Sequence, residues 1–447
     1  MKDRRILFVG YGTVAQALTP VLFAQYPDLD PHNVSVITAD ERGAGVARSF
    51  GIGFCVTPLT KDNLYATLDG RLGRDDILLN LSVEVATVSL IDWCQQHDVL
   101  YLDTCVEPWA GGYDAGRHPI AHTTNYWLRH EALSRRGKGK PTCVIAHGAN
   151  PGLVSHFIKL ALCELAIREG LAPDAAPSAL ARTLGVKAVQ IAERDSQTDG
   201  MPLRAGEFAN TWSVDGLMAE ARQHAELSWG THESRLPPGA AYIDDAPTSG
   251  VMLDAAGVRT QVKSWVPSVG DQRAWLITHH EAHSIGDFLA TYSPDGAMAY
   301  RPTVYYAYRP APKTCESLAR WGNDGLRPPA LKTVMVDSLV SGADELGVLL
   351  IREQGAYWFG SVLSLAEARQ IALHNSATTM QVVGGIVGAL AWMLSHPTAG
   401  VVEAEDMDAS CVMHAARPFL GQLFGLETRW SAGGRPDLQI QDFWESE

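Results

Sequence analysis

Short apolar runs separated by longer amphipathic stretches fill the first third of the chain. Ile6–Val9, Val34–Ile37, Phe54–Val56, Ile77–Leu81, Val99–Leu102 and Cys143–Ala146 predict buried strands. Between them, Val14–Gln25, Leu64–Leu72 and Val85–Gln96 carry helical spacing. Strand–helix alternation of this kind predicts an α/β fold built on a doubly wound parallel sheet. Its ligand crevice is expected at the carboxyl ends of the strands.

The pattern changes after Gly152. A long helix from about Leu153 to Glu169 precedes a Pro/Ala-rich connector, Leu171 to Pro177. Aromatic and β-branched runs follow at Val186–Ile191, Trp275–His279, Val304–Tyr308, Thr333–Val336 and Val348–Ile351. They predict a mostly antiparallel sheet broken by turns such as Pro237-Pro238-Gly239. From about Leu365 the pattern is helical again, with small residues at Gly384, Gly385, Gly388 and Ala391. The predicted organisation is a nucleotide-type domain over 1–152, an α+β domain over 153–375, and a helical return over 376–447 packing on the first domain.

Composition narrows the picture. The 447 residues are 46% hydrophobic and 19% charged, which excludes wholesale disorder. At about 150 residues per domain, two or three domains fit. Fifty acids against 36 bases leave a net charge of −14, so no nucleic-acid or anionic-membrane partner is expected. The seven cysteines form no spaced framework, and reduced thiols in a cytoplasm are expected. The apolar stretch Val382 to Leu394 is shorter than the ~18 residues of a membrane span.

Gly10-Tyr11-Gly12-Thr13-Val14-Ala15 follows the first strand and opens the first helix, the context a G-x-G-x-x-G/A dinucleotide fingerprint requires. Gly10 makes the tight turn, and Gly12 lets the backbone reach a pyrophosphate. Thr13 and Val14 begin a helix whose N-terminus attracts anions. The second strand is followed by Asp40, a carboxylate suited to a ribose 2′-hydroxyl, so NAD is preferred to NADP. Asn80, Leu81 and Ser82 end the fourth strand, and Thr104 ends the fifth, where ribose and nicotinamide groups bind. Ala149 and Asn150 lie after the sixth; Asn150 also suits the start of the helix that follows.

Other chemistry is carried by acids and aromatics near strand ends. Glu107 follows the fifth strand, Glu193 ends a strand in Ile191–Asp195, and Trp212 precedes Glu220 by eight residues. A tryptophan face with several carboxylates suits a ligand bearing two or more ammonium groups. His279-His280-Glu281-Ala282-His283 is not H-E-x-x-H and ends a strand-like run, so no metal is expected. Hydrolase and NTPase motifs are absent from the sequence.

The runs Asp103–Trp109, His147–Gly152, Ile191–Asp195, Asn210–Val214, Thr278-His279, Ala343–Leu350 and Tyr357–Ser361 together resemble the bacterial homospermidine synthases. Those enzymes are similar in fold to saccharopine dehydrogenases. The resemblance implies a Rossmann domain, an inserted α+β substrate and dimerisation domain, a C-terminal return and a homodimer. It also implies a redox-neutral transfer. One putrescine is oxidised by bound NAD to an imine, a second putrescine attacks, ammonia leaves, and the returned hydride gives sym-homospermidine. Related diamines and polyamines are the expected alternative ligands. Carried over by motif, Trp212 would hold cationic intermediates against its ring. Glu107, Glu193, Glu220 and Asp344 would anchor ammonium groups and handle protons, while Asn150 and His279 would orient the reacting amine. Thr38 stands where the family can carry an acid, two residues before Asp40.

The competing reading is an amino-acid oxidoreductase of the saccharopine or carboxynorspermidine type. It would need cations for substrate carboxylates and would turn over its nicotinamide. A sensor that binds NAD and polyamine without chemistry is a further alternative.

Overall fold

A computed structural model describes residues 1–444 apart from 114, 115, 117, 245 and 433–437. The chain forms two units. The first gathers Met1–Thr123, Trp127–Leu153 and Glu367–Phe419; the second gathers Thr124–Tyr126, Val154–Ala366 and Leu420–Glu447.

The first unit is built on strands β1 (Ile6–Val9), β2 (Val34–Thr38), β3 (Gly53–Val56), β4 (Ile77–Asn80), β5 (Leu100–Asp103) and β6 (Cys143–Val144). All pair in parallel in the order β3-β2-β1-β4-β5-β6, and a short strand, Val401–Val402, adds beyond β6. Leu7, Leu78, Tyr101 and Cys143 on these strands pack with Leu90, Ile91 and Trp93 of the helix Thr87–Gln96. Strand order reverses between β1 and β4, which sets the crevice where Gly10 and Leu81 leave the sheet. The predicted sixth strand is shorter than expected, because Ala146 turns to a positive φ of 52°.

The helix Ala377–Ser395 is long and apolar enough to cross a membrane, but 78% of its apolar window is buried. Its small residues are explained by close approach. A methyl group at Gly385 would drive into the Gly148 carbonyl, and one at Gly388 would meet Val412. The helix thus braces the His147–Gly152 turn from behind.

The second unit centres on β7 (Ala188–Asp195), β8 (Gln261–Val266), β9 (Gly270–Ile277), β10 (Thr303–Arg309), β11 (Ala343–Arg352), β12 (Gly355–Ser364) and β13 (Gln422–Thr428). They pair in the order β8-β9-β10-β7-β11-β12-β13, antiparallel except for β10 beside β7. Two expectations are corrected here. Residues 376–447 do not return as one helical block: the segment up to Phe419 belongs to the first unit, whereas Gln422–Thr428 is a strand hydrogen-bonded to β12. The run expected at Thr333–Val336 forms a separate parallel pair, Leu331–Val334 with Glu207–Asn210.

Gly385→Ala is expected to destabilise the protein by about 2 kcal/mol, since the neighbour is backbone and cannot give way. Thermal unfolding checks this, with a lowered Tm expected.

Candidate active site

Gly10 adopts φ +84°, and a Cβ there would lie 2.8 Å from the Leu81 carbonyl carbon. The turn closes through the Gly10 N–H donating to the Ile37 carbonyl at 2.8 Å. At Gly12, in contrast, an added Cβ meets nothing within 4 Å. The helix Thr13–Gln25 begins there without a side-chain cap and without an acid in its first turn. Open space beside uncapped helix amides fits a dinucleotide pyrophosphate.

Beneath this crest runs a buried polar chain. Ser82 Oγ donates to Asn80 Oδ1 (2.6 Å), Asn80 Nδ2 to the Tyr101 hydroxyl (3.2 Å), and Tyr101 to Asp103 Oδ2 (2.7 Å). Asp103 also accepts from Thr87 Oγ1 and from the Ala146 N–H. Thr87 Oγ1 in turn accepts from the Glu107 N–H. Two strand ends, the start of the helix Thr87–Gln96 and the turn after β6 are therefore linked through one carboxylate. Glu107 Oε2 accepts from the Glu84 N–H at 3.2 Å, and the half-buried Asn150 lies in a turn closed by Gly148 N–H to the Pro151 carbonyl. Thr104 lies against Gly148, and Ala149 is buried. Asp40 is engaged by Arg42, whose backbone and guanidinium both donate to it. The Arg42 hydrogen bond holds the Asp40 carboxyl below its usual range.

In the second unit, sheet register gathers the remaining candidates on one face. Asp344 lies directly opposite Asp195, and Tyr308 lies opposite Glu193. Glu193 and Asp195 are two residues apart, as are Tyr306 and Tyr308, so all five side chains share that face. Asp344 is 0% exposed, Asp195 2% and Glu193 3%. The Tyr306 hydroxyl donates to Glu193 Oε2 at 2.6 Å. The Thr211 hydroxyl donates to Asp195 Oδ2 at 2.6 Å, tethering the turn that carries Trp212. Ser213 caps the following helix, Val214–Arg222, and the Trp212 Nε1–H donates to the Tyr308 oxygen at 3.2 Å.

His279 joins this group. Its Nδ1 stands 3.0 Å from Glu281 Oε1, its Nε2 3.5 Å from Glu220 Oε2, and its ring 4.5 Å from that of Tyr306. Burial opposes charge on the imidazole, but Glu281 and then Glu220 outweigh it and hold its pKa well above the ordinary value. Both carboxylates thus favour the protonated imidazole with its N–H groups turned toward them. The strand stops at Ile277, and His279 is the N-cap of a helix, His280–Leu289. His283 faces away to Glu226, which also accepts from Thr278 and the Asn125 and Tyr126 N–H groups. No metal-binding group occurs among the described residues.

Glu193, Trp212, Glu220, His279 and Asp344 are therefore brought together in the second unit. Glu107, Asn150 and the predicted nucleotide contacts belong to the first. Sequence reasoning missed Tyr306, Tyr308, Asp195 and Glu281 as members. The alternation of Tyr306 and Tyr308 within Thr303–Arg309 was the available signal for the tyrosines; Asp195 needed the register with Asp344.

Gly12→Ala is expected to lose most NAD affinity while the nucleotide-free protein keeps its Tm within the effect of about 1 kcal/mol. Cofactor content and melting of the stripped protein check this. His279→Asn carries a pH signature. The folded pKa lies above the unfolded value of about 6.5, so the stabilisation is complete below that value and is lost as pH rises through the raised folded pKa. The Tm gap between parent and variant is expected to be widest in acid and to narrow in alkali. Melting across pH reads it.

Comparison with known proteins agrees with these features. Residues 6–144 match the saccharopine dehydrogenase NADP binding domain, and 148–425 match the saccharopine dehydrogenase C-terminal domain. Homospermidine synthase of Mesorhizobium japonicum is 37% identical over 98% of this chain and 95% of its own length. That of Blastochloris viridis is 37% identical over 99% and 96%. The crystal structure of homospermidine synthase from Legionella pneumophila in complex with NAD superposes with a TM-score of 0.92 at 36% identity, covering 99% of this chain and 98% of the other. With its glycine crest and its buried acidic and indole face on a matching fold, this chain belongs to the homospermidine synthase family.

Proposed function

We propose that the protein condenses two putrescines into sym-homospermidine and ammonia, with NAD as its resident cofactor. The chemistry NAD supplies when bound is reversible hydride storage, which makes the condensation redox-neutral. Gly10, Gly12, Thr13 and Val14 are assigned to the pyrophosphate. Asn80, Leu81, Ser82, Thr104 and Ala149 are assigned to the sugar and nicotinamide end, and Asp40, once free of Arg42, to the adenosine ribose.

The observation that carries the reading is the face shared by Glu193, Asp195, Asp344 and Tyr308, with Trp212 hydrogen-bonded to it. Directly opposed like charges destabilise an antiparallel pair, and an ammonium ligand reverses the sign of that interaction. The indole ring adds about 0.5–2 kcal/mol for a cation on its face. An iminium keeps its positive charge while the two amines exchange, so fixed carboxylates and a fixed π face stabilise it without reorganisation.

Proton handling falls to the acids. A primary ammonium must lose a proton before the carbon beside it is oxidised, and His279, already engaged by Glu281 and Glu220, is not assigned as that base. Glu220 is the most accessible of the cluster's acids, its side chain 26% exposed, and touches His279 Nε2. We assign it the exchange of protons with the amine, with His279 holding its carboxylate in place and Glu281 fixing the imidazole. Glu107 and Asn150, beyond strands β5 and β6, are assigned to the amine beside the nicotinamide. The near-absence of exposure at Glu193, Asp344 and His279 protects an imine from hydrolysis to the aldehyde.

The test is an assay of purified protein with putrescine and catalytic NAD⁺, following polyamines by mass spectrometry and ammonia in parallel. Homospermidine with one ammonia per product and no net cofactor reduction is expected. Stoichiometric cofactor reduction, or binding without product, would overturn the reading. Trp212→Ala is expected to lower turnover about ten-fold or more while NAD content is kept; unchanged turnover would remove the indole from the mechanism.

A further inference from the structure

We infer that Tyr308 is a positioning residue for Trp212, and that with Tyr306 it fixes the separation between the indole face and the Glu193 carboxylate, so that this tyrosine pair sets the diamine length the site accepts. The inference rests on the diamine reading above.

An indole N–H can only donate, so the 3.2 Å contact from Trp212 Nε1 makes the Tyr308 oxygen its acceptor. Trp212 sits in a turn rather than in a strand or helix, its ring lies against Gly216 of the following helix, and its polar edge is tied separately. Tyr308 ties it from β10, inside a seven-stranded sheet. On the same face, the Tyr308 ring stacks on that of Tyr306 with centroids 5.4 Å apart and planes 17° from parallel. Tyr306 in turn donates to Glu193 Oε2 at 2.6 Å. Indole, phenol, phenol and carboxylate thus form a series of three contacts, each with little freedom. Burial, then the charges of Glu193, Asp195 and Asp344, push the Tyr308 phenol well up, so it stays neutral. A cation spanning from the indole face to Glu193 must match the span this series holds.

The first readout needs no activity. In protein labelled with ¹⁵N at the indole nitrogens, the Trp212 signal is the one missing from Trp212→Phe. In Tyr308→Phe, which keeps the stacked ring, that signal is expected to move upfield as its acceptor is lost. The second readout is kinetic. Tyr308→Phe is expected to lower kcat/KM for putrescine about ten-fold and to raise the use of 1,3-diaminopropane and cadaverine relative to putrescine. In a Trp212→Phe background the same change is expected to cost nothing further, because no indole N–H remains; a general structural role would cost the same in both backgrounds. An unmoved indole signal, multiplicative effects of the two substitutions, or an unchanged diamine preference would overturn the inference. If the parent makes no homospermidine, the diamine reading fails, and the indole signal still decides whether Tyr308 holds Trp212.

Discussion

Asp195 and Asp344 face each other across neighbouring antiparallel strands, sealed from water, and much of the second unit is organised around that opposition. Register in a sheet moves in steps that flip every side chain to the other face. One residue of slip between β7 and β11 would therefore put Asp344 on the opposite face from Glu193 and Asp195. Ten paired positions between β11 and β12, and pairing of β7 on both edges, pin the register. Arg194 and Glu345, on the opposite face, form an ion pair at 3.5 Å that the same slip would break. The apolar stretch Val348–Ile351 supplies the burial that pins the strand, and the acids occupy the end it leaves over.

The nucleotide unit solves a different problem, which is close approach of backbone to backbone. Gly10 lets the first turn press against Leu81, and Gly385 lets a helix press against Gly148. The buried Asp103 then ties β5 to the segments on either side, through Tyr101, Thr87 and Ala146. The shape of the crest thus depends on absent side chains and on one carboxylate below it, while the open space is reserved for Gly12.

The sequence made the parallel sheet and its crest legible because both are local. Apolar runs alternate with helical spacing, and the glycines stand within five residues of each other. Glu193, Trp212 and Glu220 stood out as strand-end acids beside a tryptophan, but His279 and Asp344 joined them only through resemblance to a family, since nothing in the spacing along 150 residues links all five. The strand Gln422–Thr428 was misread as part of a helical tail because Phe424 and Leu426 give too short a run to fix a period; its pairing with β12 decides its state. Tyr306 and Tyr308 were hidden for the opposite reason. In a strand buried on both faces, two tyrosines two residues apart read as core, and only a neighbour's carboxylate and indole show what their hydroxyls do.

The charge on His279 divides the chemistry among its neighbours. A neutral imidazole could take a proton from an ammonium; an imidazolium cannot, and it would repel a cationic ligand. Its placement between Glu281 and Glu220 resolves this. Glu281, fully buried, serves the imidazole, while Glu220 is the acid left partly open to solvent. Two carboxylates on one imidazole thus differ in exposure, and the proposed division of their tasks rests on that difference. The same contrast extends along the face, where Glu193 and Asp344 are buried from solvent while Glu220 is partly open to it.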